Sequence, residues 1–260
     1  KIIRKINNNT PLLVSDNPSF CSYWKIYNKL FDPNPIRGNL INYQAWIEIY
    51  ENEFKKELYL KRINQANYTF NEKENLLVTN QKKFFILKSS DIRLSEIAVK
   101  AIIWGIDSSP KTLLFYGDED SLNQNGERCF PSFKPSWNKE LFFSNSNYSS
   151  IWIIDFSLYS QFINSFIEKD IVNKNEKIII IISYLISEKK ENLISHIPLI
   201  LGHKIFMKDD KKNEIENLES YRKNILKTFK NIYPRGFSIS TNKKLSSLEY
   251  KYEMPKDILI

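Results

Sequence analysis

The chain has 260 residues, of which 42% are hydrophobic and 14% aromatic, so it can bury the core of one large domain or of two small ones. It contains only 6 glycines and neither a GxGxxG nor a GxxxxGKS/T pattern, which excludes the common glycine-rich phosphate loops. The net charge of +8 favours anionic partners, although a well-solvated basic surface is the simpler explanation.

Cysteine usage and hydropathy limit the class of protein further. Cys21 and Cys129 lie far apart and form no CxxC pair, which indicates a reducing compartment and no zinc site. The longest apolar run, "IIIIISYLI", is too short for a transmembrane segment, and no secretory signal is visible. We therefore expect a cytoplasmic protein, which could also work at the inner face of the cell membrane. The chain opens on Lys1 rather than Met, so we expect a piece of a longer protein.

The N-terminal quarter of the chain predicts little regular structure apart from one helix. Residues 1–20 are polar and rich in Asn, which predicts an irregular segment, and the polar residues 63–75 predict a loop. A helix is predicted from Asn42, because apolar side chains recur there at three- and four-residue steps, namely Tyr43, Trp46, Ile47, Tyr50, Phe54 and Leu58. We therefore expect residues 1–62 to form an irregular and helical segment.

The middle of the chain predicts strands that alternate with helices. "KKFFILKSSD" predicts a buried strand running into a turn, where Ser90 or Asp91 can cap the next helix. "KTLLFYG" and "SIWIIDF" predict two further strands, and the first of them delivers the acids Asp118–Asp120 just beyond its end. "EKIIIIISYLISE" favours a strand by residue type, but its length allows a buried helix.

The last third of the chain completes an α/β pattern. "HIPLILGHKI" predicts an extended piece, residues 213–232 a helix, and "LEYKYEMP" an edge strand. Strands alternating with helices indicate α/β architecture. Ligands in open α/β sheets bind beyond the carboxyl ends of strands, where both Asp91 and the acids Asp118–Asp120 are predicted to lie.

One long stretch carries a family resemblance. "LLFYGDEDSLNQNGERCFPSFKPSWNKELFFSNSNY" resembles the glycosyltransferase family 2 enzymes of bacterial surface-polysaccharide assembly, which carry a Tyr-Ser-Asp-Glu-Asp run, a polar turn and then Phe-Lys-Pro-Asp-Trp. "YQAWIEIYE", "HIPLILGHK" and "YKYEMPKDILI" support the resemblance in the same order along the chain. The matching residues in the long stretch are Tyr116, Asp118, Glu119, Asp120, Phe133, Lys134, Pro135, Trp137, Asn147 and Tyr148.

The resemblance implies a fold, an activity and partners. The family fold is the GT-A type, a mostly parallel, Rossmann-like sheet with helices on both faces, here incomplete and spanning residues 63–245. Residues 246–260 would be a linker toward a second transferase domain. The family transfers a sugar from a nucleotide-sugar donor to a glycan acceptor, for example in O-antigen or rhamnan synthesis. A Mg²⁺ or Mn²⁺ ion usually neutralises the diphosphate leaving group, and a carboxylate base deprotonates the acceptor hydroxyl.

Three departures from the family pattern indicate impaired catalysis. The stretch between "YQAWIEIYE" and "FFILKSSD" is too short, so half of the nucleotide-binding sheet is expected to be missing. The metal motif falls on "LKSSD", where only Asp91 is acidic and Lys88 would repel a cation. The base position falls on Asn175, whose amide cannot take a proton. The neighbouring Glu176 would point about 100° away on a helix.

Each candidate site residue also has a plain structural interpretation. Asp118, Glu119 and Asp120 could bind metal or acceptor, or could form a solvated acidic turn. Asp91 and His203 could hold a metal, or could be a helix cap and a structural histidine.

The loop that follows the acids has two interpretations as well. Lys134 and Trp137 could hold a sugar, because aromatic rings stack on the apolar face of pyranoses. Alternatively, they could belong to a structural loop fixed by Pro131 and Pro135.

Three functions compete at this point. The chain could be an active transferase using Asp118 and Asp120, a degenerate transferase domain that acts as a scaffold or handles the acceptor, or a basic module for anionic partners. The departures favour the degenerate domain, for which no cofactor is needed, whereas an active one would need the divalent metal. The basic residues form no stripe, so no nucleic-acid partner is expected.

Overall fold

The computed structural model describes ten stretches of the chain, namely residues 2–6, 10–14, 43–52, 55, 68–80, 82–144, 148–168, 173–205, 237–242 and 247–252. The chain divides into two compact units, Lys1–Arg62 and Ile63–Ile260. The predicted helix over residues 213–232 lies outside the described residues.

The first unit contains a hairpin and a short helix. Strands β1 (Ile2–Ile6) and β2 (Thr10–Val14) pair antiparallel, so the prediction of an irregular segment over residues 1–20 is wrong there. Both strands are rich in Ile, Leu and Val, whose strand preference outweighs the polar residues between them. The helix predicted from Asn42 is confirmed over α1 (Tyr43–Trp46) and continues as a π-helical turn over Ile47–Glu51.

The second unit is built on an eight-stranded sheet of order β3-β4-β5-β9-β7-β10-β6, with β8 paired to β7. Its strands are β3 (Tyr68–Asn71), β4 (Leu76–Thr79), β5 (Lys83–Lys88), β6 (Ile92–Leu94), β7 (Leu114–Leu122), β8 (Arg128–Ser132), β9 (Ile151–Asp155) and β10 (Ile194–Ile205). A separate antiparallel pair follows, β11 (Phe237–Asn242) and β12 (Ser247–Tyr252). The strand predicted from "LEYKYEMP" is thus confirmed over β12, inside the segment predicted to be a linker.

Helices accompany this sheet in chain order. They are α2 (Ala98–Ser108), α3 (Lys139–Ser144), α4 (Phe156–Glu168) and α5 (Lys174–Ser187), followed by a 3-10 turn over Glu191–Leu193. None of the described helices combines the length and the apolar character needed to cross a membrane.

The α/β architecture is confirmed, but the prediction of a mostly parallel sheet is wrong for the described strands. Among them only β7 and β10 pair parallel, and the other neighbours pair antiparallel. Connection length accounts for the pairs β3–β4 and β4–β5, because their short turns allow only antiparallel hairpins, whereas a parallel pair needs a long crossover. β3 also replaces part of the loop predicted over residues 63–75.

The elements around β6 and α5 correct one local prediction and decide another that the sequence left open. Asp91 precedes the short strand β6, and the N-cap of α2 is Ile97, which makes no side-chain capping bond, so neither Ser90 nor Asp91 caps that helix. The isoleucine run is the helix α5, capped by Asn173, whose side chain accepts the backbone N–H groups of Asn175 and Glu176. Burial explains this outcome, since helix packing overrides the strand preference of isoleucine.

The sheet is covered on both faces. On one face Tyr116 and Trp152 pack into a core with the apolar sides of α4 and α5. On the other face α2 approaches β10 closely at Gly105, where an added Cβ would lie 2.9 Å from the Ile197 side chain. This layering leaves the ends of the strands as the places where polar side chains gather.

Candidate functional site

The acidic residues Asp118–Asp120 lie inside β7 and are buried. Asp118, Glu119 and Asp120 are 2%, 7% and 2% exposed, so the interpretation as a solvated acidic turn is wrong. β7 continues past its apolar half because β8 takes over from β9 as its neighbour, pairing with Glu119–Leu122 where β9 had paired with Leu114–Tyr116. Side chains alternate along a strand, so Asp118 and Asp120 share one face and Glu119 points to the other.

Asp118 joins three parts of the fold. Its Oδ1 accepts the backbone N–H of Lys134 at 2.7 Å and lies 2.7 Å from Nε2 of His196 on β10. The His196 ring also stacks on Tyr116, with the centroids 5.1 Å apart. The carboxylate therefore holds the Lys134 loop and β10 against β7.

Asp120 repeats this arrangement two residues further along the strand. Its Oδ2 accepts Nε–H of Arg128 at 2.6 Å, and its Oδ1 lies 2.5 Å from Nδ1 of His203. His203 stands opposite Asp120 in the parallel register of β10 and β7. One ring nitrogen of His203, which was predicted to bind metal, is therefore already in contact with a carboxylate.

Glu119 is held on the opposite face of β7. Its Oε1 accepts the Ser149 hydroxyl at 3.1 Å and also the backbone N–H of Ser150. These serines immediately precede β9, so Glu119 fixes the start of that strand beside the end of β5. Sequence reading did not identify these two serines, because a pair of serines before a strand carries no recognisable motif.

The loop after β8 is built into the core through its aromatic residue. The Tyr116 hydroxyl donates to the Pro135 carbonyl at 2.8 Å, and Trp137 Nε1 donates to Glu191 Oε2 at 3.4 Å. The Trp137 ring packs against Tyr116 and Tyr148 with centroids 6.4 and 5.8 Å away. Trp137 therefore packs against the core, whereas the Lys134 ammonium is bonded to Ser132 Oγ at 2.6 Å.

The remaining metal candidate, Asp91, lies in the turn between β5 and β6. Asp91 Oδ2 is 3.8 Å from the Lys204 ammonium, and Lys88 donates from Nζ to the Ile92 carbonyl at 3.1 Å. Within the described stretches, no group of three His, Cys, Asp or Glu side chains is arranged to hold a metal ion. The structure thus brings His203 to Asp120, whereas the carboxylate of Asp91 lies beside the Lys204 ammonium.

The predicted base position lies in the first turn of α5. The backbone N–H of Asn175 donates to the Asn173 side chain at 2.8 Å, and that of Glu176 approaches the same oxygen at 3.4 Å. Asn175 therefore lies in the first turn of a helix that Asn173 caps.

Lys174, one residue before Asn175, is the functional candidate that sequence reading missed. Its half-buried ammonium donates to the Ser149 carbonyl at 3.3 Å. Burial lowers the pKa of this group to about 8, while Glu119 and Asp91 oppose that shift and Lys134 and Lys204 add to it. A lysine whose pKa is lowered by burial is a candidate for a functional role, and no local pattern in "KNEK" indicates it.

Comparison with known proteins finds a partial match to a curated relative. No protein-family model matches the chain. A curated relative, the uncharacterized protein y4gI of Sinorhizobium fredii (strain NBRC 101917 / NGR234), is 28% identical over 95 residues. The match covers 36% of this chain and 10% of the relative, so the matched part spans about a tenth of that protein's length.

Proposed function

We propose that this chain is a domain of glycosyltransferase family 2 descent that has lost efficient sugar transfer and now serves as a scaffold or acceptor-handling module in cell-surface polysaccharide synthesis. It would work in the cytoplasm, at the inner face of the membrane, in front of a second transferase domain. Its fold would be a GT-A sheet that keeps the parallel pair β7–β10 and has antiparallel hairpins in place of its first strands.

One observation supports the proposed loss of catalysis. Each carboxylate of the motif Asp118–Asp120 is already engaged by protein donors on β8, on β10 or just before β9. A divalent cation would have to displace these donors, and it would also meet the Arg128 guanidinium 2.6 Å from Asp120. Buried carboxylates with this many partners serve packing and register more readily than metal binding.

A second observation supports the proposed role of the chain as a scaffold. The acidic motif, the Lys-Pro-Ser-Trp loop and the His-Ile-Pro stretch are joined by direct hydrogen bonds through Asp118, Lys134 and His196. Selection for a stable framework is enough to keep these residue types, because each of them satisfies a buried polar group.

The test compares turnover and binding. Purified chain is mixed with nucleotide sugars and Mn²⁺, and release of the nucleoside diphosphate is followed. We expect no turnover above background, no Mn²⁺-dependent rise in melting temperature with nucleoside diphosphates, and a rise with oligosaccharide fragments of the polysaccharide. Turnover that requires Mn²⁺, that Asp118→Asn abolishes and that the exposed-residue control Asp107→Asn leaves intact would overturn the proposal.

An active transferase using Asp118 and Asp120 is the second candidate. It is favoured by the position of both acids in the carboxyl half of β7, the half of a strand that faces ligands in α/β folds. In that case His203 and Asp120 would be the pair to approach the metal, and the same turnover experiment decides between the two candidates.

A further inference from the structure

A cleft opens at the edge of the sheet opposite to the acids Asp118–Asp120. Asp155 ends β9, and its backbone N–H donates to the Leu113 carbonyl just before β7, whereas the acids lie in the carboxyl half of β7. The cleft therefore lies where β5 begins and β9 passes into α4. It has a volume of about 480 Å³ and is lined by Lys82, Lys83, Asp155, Phe156, Ser157 and Ser160.

Asp155 is the buried charged residue of this cleft, and only one of its two oxygens is hydrogen-bonded. The residue is 5% exposed. Its Oδ1 accepts the backbone N–H of Ser157 at 2.9 Å and the Ser157 hydroxyl at 2.5 Å, which caps the first turn of α4. Its Oδ2 has no hydrogen bond to any described residue, and its ion-pair partner, the Lys82 ammonium, lies 3.6 Å away, beyond hydrogen-bond distance. A buried carboxylate oxygen without a donor calls for a partner from outside the protein.

The Lys82 ammonium is held beside this oxygen by a different contact. Its Nζ donates to the Pro110 carbonyl at 2.9 Å, which uses one of the three N–H donors of the ammonium. The gap between Nζ and Asp155 Oδ2 is wide enough for one oxygen atom at about 2.8 Å from each. A hydroxyl suits that position, because it accepts from the ammonium and donates to the carboxylate.

The remaining walls of the cleft limit the class of ligand. Ser157 and Ser160 are exposed and lie three residues apart on one face of α4, and Phe156 supplies an apolar wall. A phosphate would meet the buried carboxylate of Asp155, and an amine would meet Lys82 and Lys83. A neutral ligand that carries several hydroxyls on a ring avoids both repulsions and matches the hydroxyl-rich lining.

We infer that this cleft binds a sugar, with one ring hydroxyl bridging Lys82 Nζ and Asp155 Oδ2. Further hydroxyls of the same ring exchange hydrogen bonds with Ser157, Ser160 and the exposed Lys83. A few polar groups beside an aromatic wall are the usual composition of small-molecule sites. The inference rests on the lining of this cleft alone and goes beyond the proposed function, because it does not use the acids of β7 or the proposed descent.

The experiment titrates the isotope-labelled chain with the methyl glycosides of glucose, galactose, mannose and rhamnose, and follows binding by NMR chemical shifts. We expect at least one glycoside to bind, and to bind at least about tenfold more weakly to Ser160→Trp, whose ring fills the cleft. The matched control is Ser187→Trp, because that exposed serine makes the same bond to the carbonyl three residues earlier, at 2.8 Å against 2.9 Å for Ser160. Absence of binding by all four glycosides, or equal affinity of the two variants, would overturn the inference.

A second variant tests the bridging hydroxyl. Asp155→Asn keeps an oxygen for the cap of α4 and replaces Oδ2 by an amide donor, so the glycoside should again bind at least about tenfold more weakly, whereas the exposed control Asp107→Asn should bind it unchanged. Inorganic phosphate or methylamine binding more tightly than every glycoside would contradict a sugar site.

A tetrasaccharide built from the glycoside that binds identifies the source of the sugar. Tighter binding than the single unit indicates a glycan chain, equal binding indicates a free monosaccharide, and both support the site. The oligosaccharides of the turnover test separate this inference from the proposed function. If they raise the melting temperature of Ser160→Trp as much as that of the unmodified chain, the cleft is not the sugar site, while the proposed handling of an acceptor stands.

Discussion

His196 Nε2 lies 2.7 Å from Oδ1 of Asp118, although the two residues are separated by 78 positions in the sequence. Two residues along β7, Asp120 makes the equivalent contact with His203, 83 positions away. These two contacts cross the one parallel strand pair among the described strands. Since they are formed by buried side chains, they contribute to choosing the register of β10 on β7.

The Asp118 contact predicts a large effect on stability. Asp118→Ala removes the acceptor of both His196 and the Lys134 N–H, leaving buried donors without a partner. We expect the free energy of unfolding to fall by about 2–4 kcal/mol, and by less for Asp118→Asn, which keeps one oxygen. Urea denaturation measures this, with exposed Asp107→Ala as the control. A loss below that of the control would show that the contact contributes nothing.

Removal of the Tyr116 hydroxyl is expected to lower stability less than removal of the Asp118 carboxylate. It donates to the Pro135 carbonyl at 2.8 Å and holds the Lys-Pro-Ser-Trp loop on the core. Tyr116→Phe keeps the ring and removes the bond, so we expect about 1 kcal/mol lower stability. The matched change Tyr159→Phe, whose ring stacks on Phe85 at 4.3 Å, keeps its stacking contact and should cost less. Equal losses in the two variants would contradict this assignment.

The close packing of β7 against β10 at Gly117 leaves no room for a larger side chain. An added Cβ would lie 2.3 Å from the Leu201 side chain, closer than such atoms approach in proteins. We expect Gly117→Ala to lower the unfolding free energy by about 1–3 kcal/mol through overpacking. The double variant Gly117→Ala with Leu201→Ala should recover part of the loss attributable to the clash, which a double-mutant cycle would detect as coupling. Additive losses would mean that the clash is relieved elsewhere.

The lowered pKa of Lys174 predicts that the free energy of unfolding rises with pH. Its pKa falls from 10.5 to about 8 on folding, so between these values the unfolded chain holds a proton that the folded chain has released. The unfolding free energy should therefore increase from about pH 8 upward, and the penalty of burying the charge is fully present below that pH. Burial of the ammonium is the main cause of the lowered pKa; the charges of Glu119 and Asp91 oppose it, and those of Lys134 and Lys204 add to it.

The measurement compares the unmodified chain with Lys174→Gln between pH 7 and the onset of tyrosine ionisation near pH 10. Burial raises the pKa of Tyr116, Tyr148 and Tyr159, which removes stability at higher pH in both proteins alike. The rise should be present in the unmodified chain and absent from Lys174→Gln. Parallel pH curves for the two proteins would refute the shifted pKa.

The acidic residues Asp118–Asp120 show how much of this site could be predicted from the sequence. The residue pattern identified Asp118–Asp120 as important and placed them at the end of a strand, yet they lie inside β7 and are buried. Local sequence cannot show that β8 takes over from β9 beside the acids, because that depends on a hairpin folding back onto the same strand. The burial of charged residues follows from this pairing rather than from their own preference.

The sequence by itself determined the elements whose periodicity is local. Apolar runs predicted β5, β7 and β9, and the last third of the chain predicted the extended β10 and the strand β12. These features depend on neighbouring residues, whose alternation or three- to four-residue spacing fixes which side faces a core.

Only the tertiary structure decided how those elements meet. The antiparallel pairings, the helical state of the isoleucine run and the His–Asp contacts all depend on residues far apart in the chain. The pKa of Lys174 depends in the same way on burial and on charges from β7, from β10, from the turn before β6 and from the loop after β8. Electrostatic energies are set by distance and burial in space, and a sequence specifies these quantities only through the complete packing of the fold.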